Sequence, residues 1–581
     1  MDLQYSNLNR WRLIRLCAVA IALAFPAIVL ILIGLFACAL PYTDDWTLVP
    51  FLATWLDHGH WLPFLISGFG GHRLVLTRLI YALHYSFIGG NYFPILLLLL
   101  AVQVSLLVVI IVRLSRDLPA RTWTWPILVV AFSAMMFSHQ MGEVWFLPFS
   151  IQQPLTLIFY TLAVFSANSA RRRNILLPCL FAVLASLSSS NALTVWPVLL
   201  LSAILSRQPR RRVAIMAVTG AMVIAAYVLL PYRGSGFPAV PSSLAQKLCF
   251  ILAFLGSMMS CGNQNAAVMW GSAAVIALLI VALGYLKADS SLRDKSRPWL
   301  LLTLLPLASG LVASVYRNQE PGMVLSSRYL AISGLYWIGM AGAAAILLCG
   351  FASGNGTSHS WSRRLVFFHV AILLIFIGPY ISMYRIHLWI AVEHDARLAE
   401  WTLRDRCYIP FRYLRMYPNP AELFGLKDAF IARQLPPFDS AGDRSLMGKT
   451  LGETAFAQLA AADGELTFIR PVRQLEMDAL PTEAGLDMAT EARGWIRYDG
   501  KTIDRILITD HGDRIVGSGF LLRNRLLDHG FGWLFTGQRQ EWRAFVALPP
   551  AKRNMRLRAW AQLKGERGVH PLGGEAALRL E

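Results

Sequence analysis

Residues 16–46 read LCAVAIALAFPAIVLILIGLFACALPYTDDW, an apolar run that ends at Leu40 and is followed by two carboxylates, Asp44 and Asp45. The run is longer than the apolar region of a signal peptide, about 7–15 residues, so we predict a retained membrane span. A charged Asp at the centre of a bilayer costs roughly 2.5–3.5 kcal/mol. The acid pair therefore marks the depth where hydrocarbon gives way to water, and where a lipid-borne substrate can meet an ionised carboxylate.

Apolar runs of this kind recur along the whole first two thirds of the chain. Hydrophobic residues make up 56% of the 581 residues, and the runs are close to the roughly 20 residues that a membrane-spanning helix needs. We therefore predict a polytopic α-helical membrane protein rather than a large soluble core.

The net charge of +19 would by itself raise nucleic acid as a partner. Residues 1–384, however, contain 25 Lys and Arg against 9 Asp and Glu, whereas residues 385–581 contain 28 against 25. The basic residues of the first part cluster between apolar runs, as the positive-inside rule requires of cytoplasmic loops. We therefore exclude nucleic acid as a partner and use the clusters to orient the chain in a bacterial inner membrane.

That orientation puts the N-terminus in the cytoplasm and residues 385–581 in the periplasm. Residues 175–206 lie between two arginine clusters, so the chain must return, but each half of about 13 residues rises only about 20 Å against a hydrocarbon core of about 30 Å. We therefore predict a short hairpin, buried among other helices, with its tip at Ser188–Asn191. We predict that Leu244–Met259 lies on or dips into the membrane. The eleven predicted spans are 16–40, 94–112, 123–138, 150–168, 175–187, 192–206, 213–231, 266–286, 298–315, 329–350 and 365–384.

The predicted domains follow from these spans and from a change of period near the C-terminus. Residues 1–384 form the membrane domain, with an external first loop at 41–93, and residues 385–465 form a helical connector. From about residue 466 the apolar residues alternate with period two, which predicts a small periplasmic β-sandwich-like domain over 466–581. Of its tryptophans Trp495, Trp542 and Trp560, we expect at least two to be buried, because so small a domain needs large aromatics in its core.

The first external loop contains the strongest group of candidate site residues. His72 and Arg73 precede a helical pattern that places Arg73, Thr77, Tyr81 and His84 on one face and leucines, valine and alanine on the other. Such a helix suits a membrane surface. In the other external loops the polar candidates in apolar surroundings are Glu143, Arg233, Arg328 and Tyr329.

We assign neither a metal nor any other cofactor. Asp57, His58 and His60 form a surface cluster that is more often plain loop than a metal site. The seven cysteines are scattered and show no disulfide framework or Cys-x-x-Cys pair.

Four short motifs together resemble bacterial GT-C-type integral membrane glycosyltransferases over roughly residues 1–435. They are Tyr42-Thr43-Asp44-Asp45-Trp46, Gly71-His72-Arg73, Ser190-Asn191-Ala192-Leu193-Thr194-Val195-Trp196-Pro197 and Ser327-Arg328-Tyr329. The resemblance implies a multi-span fold, an inverting transfer from a polyprenyl-phosphate sugar on the periplasmic side, and an acidic residue of the first external loop as the catalytic carboxylate. Members of the family often have an acidic residue before His-Arg, where this chain has Gly71, which leaves Asp44 and Asp45 as the acidic candidates.

The expected partners are a polyprenyl-phosphate-linked sugar, a cell-envelope glycan or lipid acceptor, and membrane lipids. A carboxylate would deprotonate the acceptor hydroxyl, while Arg73, Arg233 or Arg328 would bind the leaving phosphate. Two other classes share the predicted topology: a transporter of lipid-linked glycans, and a polysaccharide polymerase or assembly factor. A transporter would place ionisable groups at mid-membrane and often show internal repeats. A polymerase would favour a long external loop between late spans, whereas here the long loop is the first.

Overall fold

The structure is a computed structural model of the full chain. It describes residues 2–36, 45, 48, 52, 55, 58–68, 72–88, 92–119, 122–168, 175–229, 243–316, 325–354, 359–381, 449–454, 456–471, 488–497, 503–521, 539–548, 554–563, 566 and 568–579. The chain divides into two compact units. The first comprises residues 1–33, 54–88 and 94–389, and the second comprises residues 34–53, 89–93 and 390–581.

The described residues before 382 are almost entirely helical. The helices are α1 (Asp2–Phe36), α2 (Trp61–Ile66), α3 (Val75–Phe87), α4 (Phe93–Asp117), α5 (Thr124–Met136), α6 (Gly142–Phe146), α7 (Gln152–Ala167), α8 (Leu176–Ser188), α9 (Val195–Leu205), α10 (Arg210–Leu229), α11 (Leu244–Gly256), α12 (Gln264–Lys287), α13 (Ser290–Leu302), α14 (Leu304–Tyr316), α15 (Ser327–Gly354) and α16 (His359–Ile381).

Seven segments among the described residues are long and apolar enough to cross a membrane: Asn9–Gly34, Phe93–Asp117, Pro148–Ala167, Arg210–Leu229, Gln264–Lys287, Ser290–Val315 and Tyr329–Ala352. A multi-span membrane protein is the architecture that these helices indicate, but the predicted count of eleven is not confirmed. Four shorter apolar helical segments make up part of the difference. Among them are both halves of the predicted hairpin at 175–206.

The hairpin has the break that its polar tip predicts. Helix α8 ends at Ser188, Ser189 is extended with φ −161° and ψ 148°, and a 3-10 turn at Ser190–Thr194 leads into α9. The indole of Trp196 donates to the Ser186 hydroxyl at 3.2 Å across the break. Buried polar backbone is tolerated here because neighbouring protein surrounds it.

Helices α11 and α12 form a second hairpin, and glycines decide how closely they pack. A β-carbon on Gly271 would lie 1.8 Å from the carbonyl oxygen of Leu252, and one on Gly256 would lie 2.0 Å from that of Ala267. The predicted interfacial segment Leu244–Met259 is thus the first arm of a close helical pair. Its C-terminal end is buried while its first residues are exposed.

Helix α15 also packs closely against α13, because it has glycines at the contact. A β-carbon on Gly342 would lie 2.2 Å from the ring of Trp299, and one on Gly350 would lie 2.2 Å from the side chain of Leu292. Trp299 is fully buried. Small residues on α15 therefore create the space that this indole fills.

The C-terminal part forms one sheet of nine described strands: β1 (Ala457–Gln458), β2 (Gly464–Pro471), β3 (Met488–Arg497), β4 (Ile503–Asp510), β5 (Ile515–Leu521), β6 (Arg539–Leu548), β7 (Asn554–Leu563), β8 (Gly568–Pro571) and β9 (Ala576–Arg579). The order is β1-β8-β7-β4-β5-β6-β3-β2, and β9 pairs with β7. The backbone of Gly573, just after β8, exchanges hydrogen bonds of 2.7 and 2.9 Å with β2, so the sheet curls into a half-barrel. This differs from the predicted sandwich because the ladder is continuous rather than divided between two sheets.

The inner face of the half-barrel holds its main core. Trp542 is fully buried there among aliphatic side chains that include Ile506, Ile508 and Val546. On the outer face Trp560 packs with Leu451, Leu507 and Ile515. Trp495 is only half-buried. Because Trp542 and Trp560 are buried, the expectation that at least two of the three tryptophans are internal is confirmed. Residues 385–448 of the predicted connector lie outside the described residues.

Candidate functional site

Helix α3 buries most of its polar side chains and exposes two of its leucines. Thr77, Tyr81 and His84 are buried, with exposures of 0%, 0% and 5%, whereas Leu79 and Leu83 are 40% and 50% exposed. The predicted polar face is therefore confirmed as one face, and it lies against the protein. An outward apolar face is the arrangement expected where hydrocarbon rather than water surrounds a helix.

Arg73, at the start of this helix, is engaged by the ends of two other helices. Its Nη1 donates to the Ile66 carbonyl at 2.8 Å, and its Nε donates to the Tyr227 carbonyl at 3.0 Å. These oxygens lie in the last turns of α2 and α10, where carbonyls lack helical partners and the helix dipole is negative. Arg73 therefore caps both helices, and a phosphate at this guanidinium would compete with two carbonyls.

Tyr227 holds Arg73 by two further contacts. Its hydroxyl accepts from the Arg73 backbone amide at 2.7 Å, and the guanidinium lies 5.5 Å from its ring centroid. Arg73 is only 4% exposed. The backbone at residues 72–73 is thus fixed by a residue 154 positions away in the chain.

Arg78 is a second buried guanidinium of α3 and was not among the predicted site residues. Its Nη1 donates to the carbonyls of Phe64 and Ser67 at 2.5 and 2.7 Å, and to the Ser67 hydroxyl. The side chain is fully buried. Its spacing of three and seven residues from Tyr81 and Tyr85 could have placed it on the buried face.

His72 differs from the two arginines because it is only partly buried. Its Nδ1 is hydrogen-bonded to the Ser190 hydroxyl, in the break between α8 and α9. The structure therefore brings together two of the quoted sequence motifs, at His72 and Ser190. The imidazole is partly exposed, as are Ser190 and Tyr227, whereas the two guanidinium groups are buried.

The remaining predicted residues are distributed as follows. Asp45 is fully buried and belongs to the second unit, through residues 34–53. Tyr329 is partly buried, with its ring centroid 5.8 Å from that of Phe254. Asp44 and Arg233 lie outside the described residues, as do the side chains of Glu143 and Arg328, although α6 and α15 include their backbones.

A second buried polar group lies at the 3-10 turn between α5 and α6. Gln140 is fully buried and its Nε2 contacts the Cys261 sulfur at 3.6 Å. The ring of His139 lies 5.3 Å from that of Tyr380 at an interplanar angle of 70°. This group joins the ends of α5, α12 and α16 and contains no carboxylate among its described side chains.

No grouping of three or more His, Cys, Asp or Glu suited to a metal ion occurs within the part of the chain that the structure describes. The His58 and His60 rings lie 6.1 Å apart, and Asp57 is outside the described residues.

Comparison of the chain with protein-family models, with characterised proteins and with solved structures finds no match in any of the three.

Proposed function

We propose that this chain is a membrane glycosyltransferase that moves a sugar from a polyprenyl-phosphate carrier to a cell-envelope glycan or lipid on the periplasmic side. The observation that carries the proposal is the arrangement of α3. Its outward leucines suit the acyl region of a bilayer, and the partly exposed His72 lies next to the buried Arg73 just before this helix. A substrate with a lipid tail and a phosphate requires this combination.

In this proposal one of Asp44 and Asp45 is the general base. The carboxylate takes the proton of the acceptor hydroxyl while that oxygen forms a bond to the anomeric carbon. The bond between this carbon and the phosphate oxygen breaks, and its electron pair leaves with the polyprenyl phosphate. One displacement inverts the anomeric centre, and the positive charge of Arg73 beside His72 favours the departing phosphate.

The proposal includes the finer topology given by the basic clusters. The N-terminus is cytoplasmic, the eleven spans include α8, α9 and α16 but not α11, and the half-barrel is periplasmic. Because 19 basic residues fall in the cytoplasmic loops of this arrangement and 6 in the external ones before residue 385, the positive-inside rule supports it.

The test is a transfer assay with the full chain in proteoliposomes. The donor is a set of polyprenyl-phosphate sugars radiolabelled in the sugar, and the acceptor is an envelope extract from a deletion strain. We expect the wild type to release polyprenyl phosphate and to label an acceptor. Loss of a general base typically costs roughly 10²–10⁴-fold in rate, so Asp44→Asn or Asp45→Asn should reduce labelling to this extent.

Asp294→Asn is the matched control, because the Asp294 side chain is 56% exposed and pairs with Arg297, three residues further along its own helix. Full activity of both acid variants would exclude the pair as the base. Movement of intact donor across the bilayer without transfer would make the protein a transporter, and extension of a growing glycan by whole repeat units would make it a polymerase.

A further inference from the structure

The polar tip of the α8–α9 hairpin contains a serine that the hairpin itself does not use. Ser188 donates to the Leu184 carbonyl at 2.8 Å within its own helix, and Ser186 links to Trp196. Ser190 instead reaches 118 residues back along the chain to the Nδ1 atom of His72. A hairpin needs polar residues to turn, but it does not need a contact with the first loop.

The position of Ser190 is determined by rigid neighbours. The extended Ser189 ends α8, and the amide of Ala192 donates to the Ser189 carbonyl at 3.1 Å. Ala192 and Trp196 are almost completely buried. The hydroxyl at position 190 is therefore held by packed structure on its own side of the contact.

His72 is held from the opposite side by its backbone. The amide of the next residue, Arg73, donates to the Tyr227 hydroxyl, and the Arg73 side chain is fixed by carbonyls of α2 and α10. With the backbone and Nδ1 both fixed, the imidazole has one orientation. Its Nε2 then faces away from Ser190, since the two ring nitrogens lie on different edges of the ring.

We take the Ser190 hydroxyl as the donor in this contact, in which either partner can donate. A neutral imidazole with Nδ1 accepting from a hydroxyl carries its proton on Nε2. The partly exposed His72 then presents an N–H donor next to a buried cation, which is the combination that binds a phosphate oxygen.

We propose that Ser190 is a positioning residue that orients His72 so that its Nε2–H binds the phosphate of a lipid-borne ligand. This inference rests on the proposed function for its ligand, a polyprenyl phosphate, and it assigns the contact to His72 rather than to the carbonyl-bound Arg73. Ser190 itself touches the imidazole and not the phosphate.

The first measurement requires no catalysis. The full chain is labelled with ¹⁵N in its histidine rings and placed in lipid nanodiscs, and the His72 signal is assigned by its loss in His72→Gln. We expect one Nε2-protonated tautomer in the wild type, a mixture in Ser190→Ala, and recovery in Ser190→Thr. Ser188→Ala is the control, because the hydroxyl it removes bonds within its own helix. A His72 signal that is the same in Ser190→Ala and wild type would overturn the positioning role.

The second measurement is the binding of a polyprenyl monophosphate to the same nanodiscs. A single neutral hydrogen bond contributes roughly 0.5–1.5 kcal/mol, so Ser190→Ala should weaken binding about two- to tenfold. His72→Gln keeps a donor near the Nε2 position and His72→Asn does not, so the Gln variant should bind more tightly. Ser190→Ala should add no further loss in the His72→Asn background.

Several outcomes contradict the inference in different ways. Equal binding by the Gln and Asn variants would remove Nε2 as the contact, even if Ser190→Ala fails to fold. Full competition by inorganic phosphate at equal concentration would mean that the ligand is free phosphate rather than a lipid. Binding that depends on Ser190 in a protein that transfers no sugar would retain the site and refute the proposed glycosyltransferase.

Discussion

The indole Nε1 of Trp299 donates a hydrogen bond of 2.9 Å to the carboxylate of Asp117, 182 residues earlier in the chain. The same carboxylate oxygen accepts from Arg113 Nε at 2.7 Å. The Arg113 guanidinium lies 5.4 Å from the ring of Phe165, which is itself 5.5 Å from Trp299. One buried ion pair thus joins α4, α7 and α13.

This cluster predicts a large difference between two aspartates whose ion pairs have the same length. The Asp117 and Asp294 pairs are both 2.7 Å, but the Asp117 side chain is 7% exposed and that of Asp294 is 56% exposed. Removing one partner of a buried pair typically costs about 3–5 kcal/mol, against about 0–1 kcal/mol at a surface. Thermal unfolding in detergent should therefore show a clear loss for Asp117→Asn and almost none for Asp294→Asn. Equal melting temperatures would mean that the Asp117 pair contributes no stability.

The α11–α12 hairpin predicts opposite effects for two glycines of one helix. Gly271→Ala would bring a methyl group to 1.8 Å from the Leu252 carbonyl, whereas Gly284→Ala meets only a leucine methyl at 3.6 Å. We expect Gly271→Ala to lower the melting temperature and to separate the helices. Gly284→Ala should be neutral or stabilising by up to about 1 kcal/mol, because alanine favours helix. Equal melting temperatures for the two variants would contradict this prediction.

Arg78 should be needed for the fold of the first loop. Arg78→Leu removes the donor of the Phe64 and Ser67 carbonyls, and each buried carbonyl left without a donor costs roughly 1–3 kcal/mol. Arg78→Lys should be intermediate, since one ammonium cannot reproduce the planar fork of a guanidinium. The control is Arg211→Leu, at an exposed arginine. Circular-dichroism melting of the purified proteins distinguishes them, and wild-type stability of Arg78→Leu would contradict the capping role.

Glu453 gives the segment before the half-barrel a dependence on pH. The Thr450 amide donates to its carboxylate at 2.8 Å, and this hydrogen bond lowers the pKa of Glu453 below its usual 4.5. Because the folded pKa is depressed, the added stability is present above pH 4.5 and is lost as the pH falls through the folded value. Hydrogen exchange of residues 449–456, corrected for intrinsic rates, should show more opening at pH 3 than at pH 6, because the usual carboxylate pKa of 4.5 lies between these two values.

The matched variant for this prediction is Glu453→Gln. Glutamine can accept the same hydrogen bond in a capping box but does not titrate. The difference in opening between the two pH values should shrink in this variant. An unchanged difference would assign the pH dependence to other groups.

Membrane orientation can be tested with reporter fusions. Fusions after Ala120, Ser290 and Thr450 should report cytoplasmic, cytoplasmic and external locations, because basic clusters precede or follow the first two sites. An external signal at Ser290 would show that α11 crosses the membrane. The third site would then be cytoplasmic, and the half-barrel would not be periplasmic.

Helices were predictable from the sequence where local signals decide them. The apolar runs, the hairpin tip at Ser188–Asn191 and the polar face of α3 depend on composition and period, which residues reveal without their neighbours. Span number was not predictable in this way. A helix of 13 residues, such as Leu176–Ser188, can be surrounded by protein or cross a thinned bilayer, and only its packing distinguishes these cases.

The candidate site was predicted only in part, because its contacts join distant segments. His72 and Arg73 stood out as charge in apolar surroundings. Tyr227 did not, since a tyrosine near a helix end is ordinary. Ser190 was predicted at the hairpin tip and within a motif, but its contact with His72 was not, since a serine in a turn is ordinary. Arg73 shows a different limit of sequence reasoning. Its position in the sequence fits a phosphate ligand, but in the structure its side chain binds the carbonyls of Ile66 and Tyr227. The single curved sheet also depends on long-range pairing, such as that of β1 with β8.

The inverted faces of α3 have a practical consequence for purification. When water replaces hydrocarbon around a helix whose leucines point outward, the hydrophobic effect no longer favours that arrangement of the helix. Annular lipid is then a structural component of the loop that bears His72, rather than only its surroundings. Short-chain detergents that strip this lipid should release the loop first, so loss of the His72–Ser190 contact in a preparation with an intact helical spectrum would indicate delipidation.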